Sequence, residues 1–217
     1  MGNFTYLLFD LDGTLTDSAE GIINCIKHAA ETMGFPMPEN PERFLGPTLY
    51  DSFAKYCDLN NEQVPEAVRI YRERYKSIGL FENRVYDGIP GMLETLKNSG
   101  FELFVATSKP DVFAERILEK FGLAHYFRMI GGADINGTRN EKWEVIDHVL
   151  RNNGIADKSA VLMIGDRDND VIGAQCAGIK CMGVLWGYGS GKELAETGAD
   201  FIAETPQNVV DILLGKD

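Results

Sequence analysis

Two carboxylates, Asp10 and Asp12, stand directly behind an apolar run near the N-terminus and are followed by Gly13. The run covers residues 4–9 and is rich in aromatic and branched side chains, which is typical of a buried strand. In open α/β sheets, ligands bind outside the carboxyl ends of the strands. Two acids and a glycine at such an end suit a Mg²⁺-assisted phosphoryl site. The alternative is an ordinary turn, because Asp and Gly both favour turns.

A second acidic segment follows another apolar run, at residues 161–164, where Asp166 and Asp170 are spaced i, i+4 behind a glycine. The alternative is a calcium-binding EF-hand loop, because Asp166, Asp168 and Asp170 alternate as that loop requires. The sixth position of such a loop needs Gly, whereas this chain has Val171, and the twelfth position holds no Glu. The pattern therefore favours a second acidic strand end over an EF-hand.

Two further junctions between predicted strands and helices carry hydroxyls and lysines. Thr107 and Ser108 precede Lys109 and a proline, and hydroxyl and free N–H groups at such a junction suit a phosphoryl oxygen. The alternative is a helix cap, which is a common role of Thr or Ser before Pro. Lys142 begins a predicted helix at about 140–153 and would lie at the same edge of the sheet, with Lys109 as the competing lysine.

Five apolar runs predict strands separated by helical patterns, which indicates parallel βαβ units and a doubly wound sheet. The runs cover residues 4–9, 102–106, 127–130, 161–164 and 181–185. The connection between the first two runs is far longer than a single crossover helix. Because this stretch carries several helical patterns, we expect an all-helical domain at 16–84, inserted into a core domain formed by 1–15 and 85–217.

One helix of the predicted insertion has a regular apolar stripe. Its members are Val64, Val68, Tyr71, Tyr75 and Ile78. They are separated by four, three, four and three residues, which puts them on one face of a helix.

The composition restricts the partners of the protein. The net charge of −12 argues against nucleic acids and anionic membranes as partners. Hydrophobic residues make up 44% of the chain, which is enough for a sizeable core. The four cysteines form no CxxC pair, and there is neither a signal-peptide pattern nor an apolar run long enough to span a membrane. We expect a cytoplasmic protein, either a monomer or a homodimer.

The motifs, taken in order, resemble those of the haloacid dehalogenase superfamily over essentially the whole chain. The set consists of Asp10-Leu11-Asp12-Gly13-Thr14, Thr107, Lys142, and Gly165-Asp166 with Asp170. Segments 44–48 and 108–110 look like those of the phosphoglycolate phosphatase-like branch. The resemblance implies a Rossmann-like core with an inserted helical cap. It also implies that Asp10 is the nucleophile that attacks phosphorus, and that Asp12 protonates the leaving alcohol and later deprotonates water.

The same resemblance implies a Mg²⁺ site and a phosphate site. Mg²⁺ would be held by the Asp10 carboxylate, the Asp12 carbonyl and Asp166, with Asp170 as a ligand or support. The groups that would bind phosphoryl oxygens are Thr107, Lys142, and backbone N–H groups near Asp12, Gly13 and Ser108. The family often has Pro after the lysine where this chain has Trp143, so Lys109 stays as the alternative.

These features predict a Mg²⁺-dependent phosphatase that hydrolyses a small phosphomonoester through an aspartyl-phosphate. The expected partner is a small phosphorylated metabolite, either phosphoglycolate-like or a nucleoside monophosphate, and not a nucleic acid or a membrane. A phosphomutase on the same scaffold is the first alternative, because it uses both aspartates as well. A non-catalytic module that accepts a phosphoryl group is the second, although a receiver domain would have its phosphorylated Asp behind a later strand.

Overall fold

The computed structural model describes residues 4–46, 48–134 and 139–216. The chain divides into two compact units: a sheet unit, Met1–Thr16 with Val85–Asp217, and a helical unit, Asp17–Arg84. Pro47, within the segment that resembles the phosphoglycolate phosphatase-like branch, lies outside the described residues.

The described strands are β1 (Tyr6–Phe9), β2 (Thr16–Asp17), β3 (Arg84–Val85), β4 (Glu102–Pro110), β5 (Met129–Ala133), β6 (Val161–Gly165), β7 (Lys180–Val184) and β8 (Phe201–Ala203). The described α-helices are α1 (Ala19–Met33), α2 (Leu49–Tyr56), α3 (Gln63–Tyr75), α4 (Ile89–Asn98), α5 (Asp111–Lys120), α6 (Lys142–Asn152), α7 (Asp168–Ala177), α8 (Gly191–Thr197) and α9 (Pro206–Leu214). Short 3₁₀ helices cover Pro41–Phe44, Gly79–Phe81, Ala124–Tyr126 and Lys158–Ala160.

The sheet unit is built on a parallel sheet with the strand order β5-β4-β1-β6-β7-β8. The predicted α/β class with a doubly wound parallel sheet is therefore confirmed. The first strand, β1, lies in the middle because the chain adds β4 and β5 on one side and β6 to β8 on the other. The carboxyl ends of β1, β4 and β6 are consequently neighbours, which is where the sequence has its acidic and hydroxyl motifs.

One face of this sheet packs against α6 and α7. Phe104 of β4 and Met163 of β6 are fully buried there, together with Val145 and Val149 of α6 and Ala174 of α7. Burial of each of the larger side chains contributes roughly 1.5–3 kcal/mol to the stability of the fold. This packing holds the first residues of α6 and α7 at the carboxyl edge of the sheet.

The sixth strand of the sheet, β8, was not predicted from the sequence. It has three residues, and its outer residue Ile202 is 36% exposed because the strand forms one edge of the sheet. A short, half-exposed edge strand shows neither a continuous apolar run nor a long alternation. The two last helices, α8 and α9, were likewise not predicted.

The helical unit has a core of its own, formed by one face each of α1, α2 and α3. The unit also contains a partly buried ion pair, in which both terminal nitrogens of Arg74 donate to the carboxylate of Glu82, at 2.7 and 2.9 Å. The predicted stripe is wrong at its last position, because α3 ends at Tyr75 and Ile78 is 53% exposed. The chain leaves the helix there and turns into the 3₁₀ helix Gly79–Phe81. Within the described part of the chain, no helix combines the length and apolarity needed to cross a membrane.

Candidate active site

Asp10 and Asp166 directly follow the neighbouring strands β1 and β6. The backbone N–H of Asp10 donates to the carbonyl of Ile164 at 2.9 Å, so the ladder between the two strands continues to the first carboxylate. The pairing of the two strands thus places Asp10 and Asp166 next to each other at the same edge of the sheet. Asp170 reaches the same place from the first turn of α7.

Three carboxylates form a buried cluster at this edge: Asp10, Asp166 and Asp170 each offer an oxygen, and these oxygens all lie within 4.8 Å of one another. The Lys142 ammonium reaches into the cluster, with Nζ 2.9 Å from Asp10 Oδ1 and 2.8 Å from Asp170 Oδ1. The same nitrogen donates to the carbonyl of Ala106 at 3.2 Å. Three carboxyl groups therefore face one ammonium group in a buried site.

The position of Lys142 depends on how α6 begins. A capping box closes the start of the helix, since the Glu144 carboxylate accepts from the backbone N–H of Glu141 at 3.0 Å and from that of Asn140 at 2.9 Å. The cap satisfies N–H groups that have no partner within the helix. Lys142 is the first residue behind the cap, and its side chain is 3% exposed.

The surplus negative charge shifts the ionisation of the cluster. Burial, with the neighbouring Asp170 and Asp10, raises the pKa of Asp166 from 3.8 to about 8. Burial also raises the pKa of Asp170, to about 6, although the Lys142 ammonium opposes this shift. Burial by itself lowers the pKa of Lys142, but the two carboxylates outweigh it and the pKa is raised. Lys142 is therefore a fixed cation, whereas Asp166 resists ionisation until another cation joins the cluster.

Asp12 lies apart from this cluster and faces the other lysine. Its Oδ2 is 2.6 Å from Nζ of Lys109, while its buried Oδ1 has no hydrogen-bond partner among the described residues. Thr107 is buried beside this pair, and its hydroxyl oxygen accepts from the backbone N–H of Lys109 at 3.2 Å. Ser108 lies between them on the same strand end. The two lysines that compete in the sequence thus contact different aspartates.

Gly13 lets the chain turn directly over Asp166. Its φ of +86° lies in the left-handed region, and a Cβ on it would come within 2.2 Å of Asp166 Oδ2. The next residue, Thr14, donates its hydroxyl to Asp166 Oδ1 at 3.0 Å. The loop behind β1 therefore both covers and orients the carboxylate behind β6.

Sequence reasoning missed the loop behind β7, which completes this support. The backbone N–H of Tyr188 donates to Asp166 Oδ2 at 2.8 Å, and the indole N–H of Trp186 donates to the carbonyl of Thr14 at 2.9 Å. A Cβ on Gly187 would come within 2.4 Å of the Asp166 side chain. The glycine-rich segment 187–191 follows a parallel strand of the same sheet, and that position is the sequence signal that places it at the same edge.

The cluster fits a hard divalent cation. All three carboxylates supply oxygen ligands, which is the donor type that Mg²⁺ and Ca²⁺ prefer. The three carboxyl groups outnumber the single ammonium of Lys142, so a divalent cation would offset the negative charge that remains when they ionise. The backbone carbonyl of Asp12 is a further oxygen at the same strand end.

Comparisons with known proteins identify the family of the chain. Residues 7–184 match the model of the haloacid dehalogenase-like hydrolases. A 5'-nucleotidase from Pseudomonas aeruginosa is 45% identical over 190 residues, which cover 87% of this chain and 86% of that protein. A tyrosine-protein kinase from Mycobacterium tuberculosis is 39% identical over 94% of this chain and 67% of its own length.

Two more distant matches bear on the branch and the fold. A phosphoglycolate phosphatase from Vibrio vulnificus is 27% identical over 96% of this chain and 95% of that protein. The solved structure of a haloacid dehalogenase-like hydrolase from Streptococcus pneumoniae is 33% identical, with a TM-score of 0.91 over 97% of this chain and 98% of that one. The expectations of an enzyme and of this family are confirmed: the chain belongs to the haloacid dehalogenase-like hydrolases.

Proposed function

We propose that this protein is a Mg²⁺-dependent phosphatase that hydrolyses a small phosphomonoester through a phosphorylated Asp10. The observation that carries the proposal is the position of Lys142, whose ammonium is 2.9 Å from Asp10 and 2.8 Å from Asp170 in a buried cluster. A carboxylate nucleophile has to approach an anionic phosphoryl group, and a buried fixed cation reduces that repulsion.

Each aspartate of the first motif has its own role in the proposed reaction. An oxygen of Asp10 attacks phosphorus while the bond to the leaving oxygen breaks, and Asp12 gives a proton to that oxygen so that an alcohol departs. In the second step Asp12 takes a proton from water, whose oxygen attacks the phosphorus of the aspartyl-phosphate. The bond to Asp10 then breaks, which restores the carboxylate and releases inorganic phosphate.

The remaining motif residues bind the metal and the phosphoryl group. Mg²⁺ would be held by Asp10, the Asp12 carbonyl, Asp166 and Asp170, and when bound it supplies charge neutralisation and polarises the phosphoryl group. The groups that would bind the phosphoryl oxygens are the Thr107 hydroxyl, Lys142, and backbone N–H groups near Gly13 and Ser108. Of the two lysines, we assign the phosphoryl group to Lys142 because its ammonium lies beside the nucleophile.

Two substrate classes have support from relatives. The 45% identical relative is named a 5'-nucleotidase, which favours nucleoside 5'-monophosphates. The 27% identical relative is named a phosphoglycolate phosphatase, which favours a short phosphorylated acid. We place nucleoside monophosphates first because the identity is much higher.

A second candidate function is phosphoryl transfer to an acceptor other than water. The 39% identical relative is named a tyrosine-protein kinase, which favours this candidate, and a phosphomutase would belong to the same class. A transferase moves the phosphoryl group to an alcohol or a phenol, whereas a phosphatase releases one inorganic phosphate for each alcohol. The ratio of these two products therefore separates the two functions.

The test is steady-state hydrolysis of p-nitrophenyl phosphate and a panel of nucleoside monophosphates and phosphoglycolate with Mg²⁺. We expect equal amounts of alcohol and phosphate, and complete loss of both in Asp10→Asn, which has no nucleophilic oxygen anion. Asp157→Asn, at an exposed helix cap outside the motifs, is the matched control and should retain wild-type rates. Turnover by Asp10→Asn would overturn the assignment of the nucleophile, and alcohol without phosphate would favour the transferase.

A further inference from the structure

Lys109 occupies a place that neither the metal cluster nor the phosphoryl group explains. Its side chain is 6% exposed, and Nζ is 2.6 Å from Oδ2 of Asp12, whereas Lys142 already supplies the cation beside the nucleophile Asp10. A buried lysine requires a strong partner to offset the loss of its hydration. The carboxylate of Asp12 is such a partner.

An irregularity of β4 brings this lysine to Asp12. Ala106 pairs with Gly131 and Pro110 pairs with Ala133. Between these two pairs β4 advances by four residues, whereas β5 advances by only two. The two additional residues bulge out of the ladder, and a bulge redirects the side chains that it contains. The backbone N–H of Lys109, which is not needed for the ladder, donates to the hydroxyl oxygen of Thr107 and so stabilises the bulge.

The two oxygens of Asp12 have different surroundings as a result. Oδ2 is held by the Lys109 ammonium, whereas Oδ1 is buried and has no hydrogen-bond partner among the residues that the structure describes. A buried carboxylate oxygen without a partner is costly and therefore uncommon. At an active-site edge, such an oxygen is available to a reacting group.

We infer that Lys109 is a positioning residue that anchors Asp12 through Oδ2 and thereby presents Oδ1 as the atom that exchanges protons with the leaving oxygen and with water. The inference rests on the proposed function, because it assigns the proton transfer to Asp12. General acid and base groups act over about 2.6–3.2 Å. A misplacement of about 1 Å costs on the order of 100-fold in rate.

The test compares leaving groups in Lys109→Met. p-Nitrophenolate departs as a stable anion and needs no proton, whereas an alkyl alcohol such as that of a nucleoside monophosphate needs one. The constant kcat/KM reports only the steps up to departure of the alcohol, before water reacts. We expect Lys109→Met to lower kcat/KM roughly 30- to 100-fold for the alkyl phosphate and less than about threefold for p-nitrophenyl phosphate, whose departure needs no general acid.

Three controls keep this result interpretable. Lys109→Arg retains the cation and should recover most of the alkyl-phosphate activity. Lys192→Met removes an equal charge from the surface, where the Lys192 side chain is 82% exposed, and should match the wild type. Added to Asp12→Asn, the change Lys109→Met should cause no further loss, because the lysine acts through Asp12. Circular dichroism verifies that each variant is folded.

The outcomes separate this inference from the proposed function. An equal loss for both substrates, or a further loss in the Asp12→Asn background, would show that Lys109 binds the phosphoryl group or only supports the fold, and would overturn the inference. A wild-type protein without any Asp10-dependent hydrolysis would instead overturn the proposed function.

Discussion

Asp166→Asn should make the metal-free protein more stable at neutral pH, although it removes a residue of the active site. The pKa of Asp166 is about 8 in the folded protein, against 3.8 for an unperturbed carboxyl. A group whose folded pKa is raised contributes stability that is complete below its unfolded pKa and is lost as the pH rises towards the folded pKa. The window of loss for Asp166 therefore extends from about pH 4 to about pH 8.

The size of the effect follows from this window. Each pKa unit corresponds to about 1.4 kcal/mol, so about three units between pH 3.8 and pH 7 cost the wild type about 4 kcal/mol. Asn cannot ionise, but its NH₂ group replaces one of the two oxygens that accept from Thr14 and Tyr188. A lost hydrogen bond costs about 1 kcal/mol. The net stabilisation by Asp166→Asn is then about 3 kcal/mol at pH 7, and it reverses below about pH 4.5.

The assay is urea unfolding in EDTA, followed by tryptophan fluorescence from pH 4 to pH 8. Trp143 and Trp186 are the two tryptophans of the chain, and both lie in the sheet unit with Asp166. Asp168→Asn, at the first residue of α7 but outside the cluster, is the control and should keep the pH dependence of the wild type. Saturating Mg²⁺ should reduce the advantage of the variant, because the cation stabilises the wild-type cluster.

A variant that is less stable than the wild type in EDTA at pH 7 would refute this reasoning. So would a variant whose free energy of unfolding has the same pH dependence as that of the wild type, since the cluster would then not oppose ionisation of Asp166.

Three further predictions concern two other residues of the active site and one ion pair of the helical unit. Lys142→Met should abolish phosphate release and lower the free energy of unfolding by about 3 kcal/mol, because the buried Asp10 loses its cation; wild-type turnover would contradict it. Gly13→Ala should lower kcat at least 10-fold, since its Cβ would meet Asp166 within 2.2 Å; measured kinetics equal to the wild type would show that the loop adapts. Arg74→Met should destabilise the helical unit by about 1–3 kcal/mol, and an unchanged thermal melting curve would count against the importance of that ion pair.

Much of the fold and the place of the site follow from the sequence. The apolar runs before Asp10, Thr107 and Asp166 predict parallel strands, and parallel strands end at one edge of a sheet. The residues that must meet there are therefore predictable without knowledge of side-chain geometry. The helical insertion is recognisable because a connection of that length cannot be a single crossover helix.

Other parts of the site depend on contacts that cannot be predicted from the residue types or their spacing. The bulge in β4 decides that Lys109 contacts Asp12, and nothing in the spacing of residues 106–110 indicates a bulge. The loop behind β7 supports Asp166 with the backbone N–H of Tyr188, a group that almost every residue possesses. Such contacts depend on how the loops behind neighbouring strands are arranged, and this arrangement exists only in the assembled sheet.

The most direct test of the account is chemical identification of the phosphorylated residue during turnover. The enzyme is mixed with substrate and Mg²⁺, quenched in acid within the first turnovers, and treated with borohydride, which reduces an acyl phosphate to an alcohol. Peptide mass spectrometry then locates the product. We predict homoserine at position 10, where the wild-type chain has Asp10, and none in an unreacted sample. Continued phosphate release without that product, or the product at Asp12 or Asp166, would contradict the account.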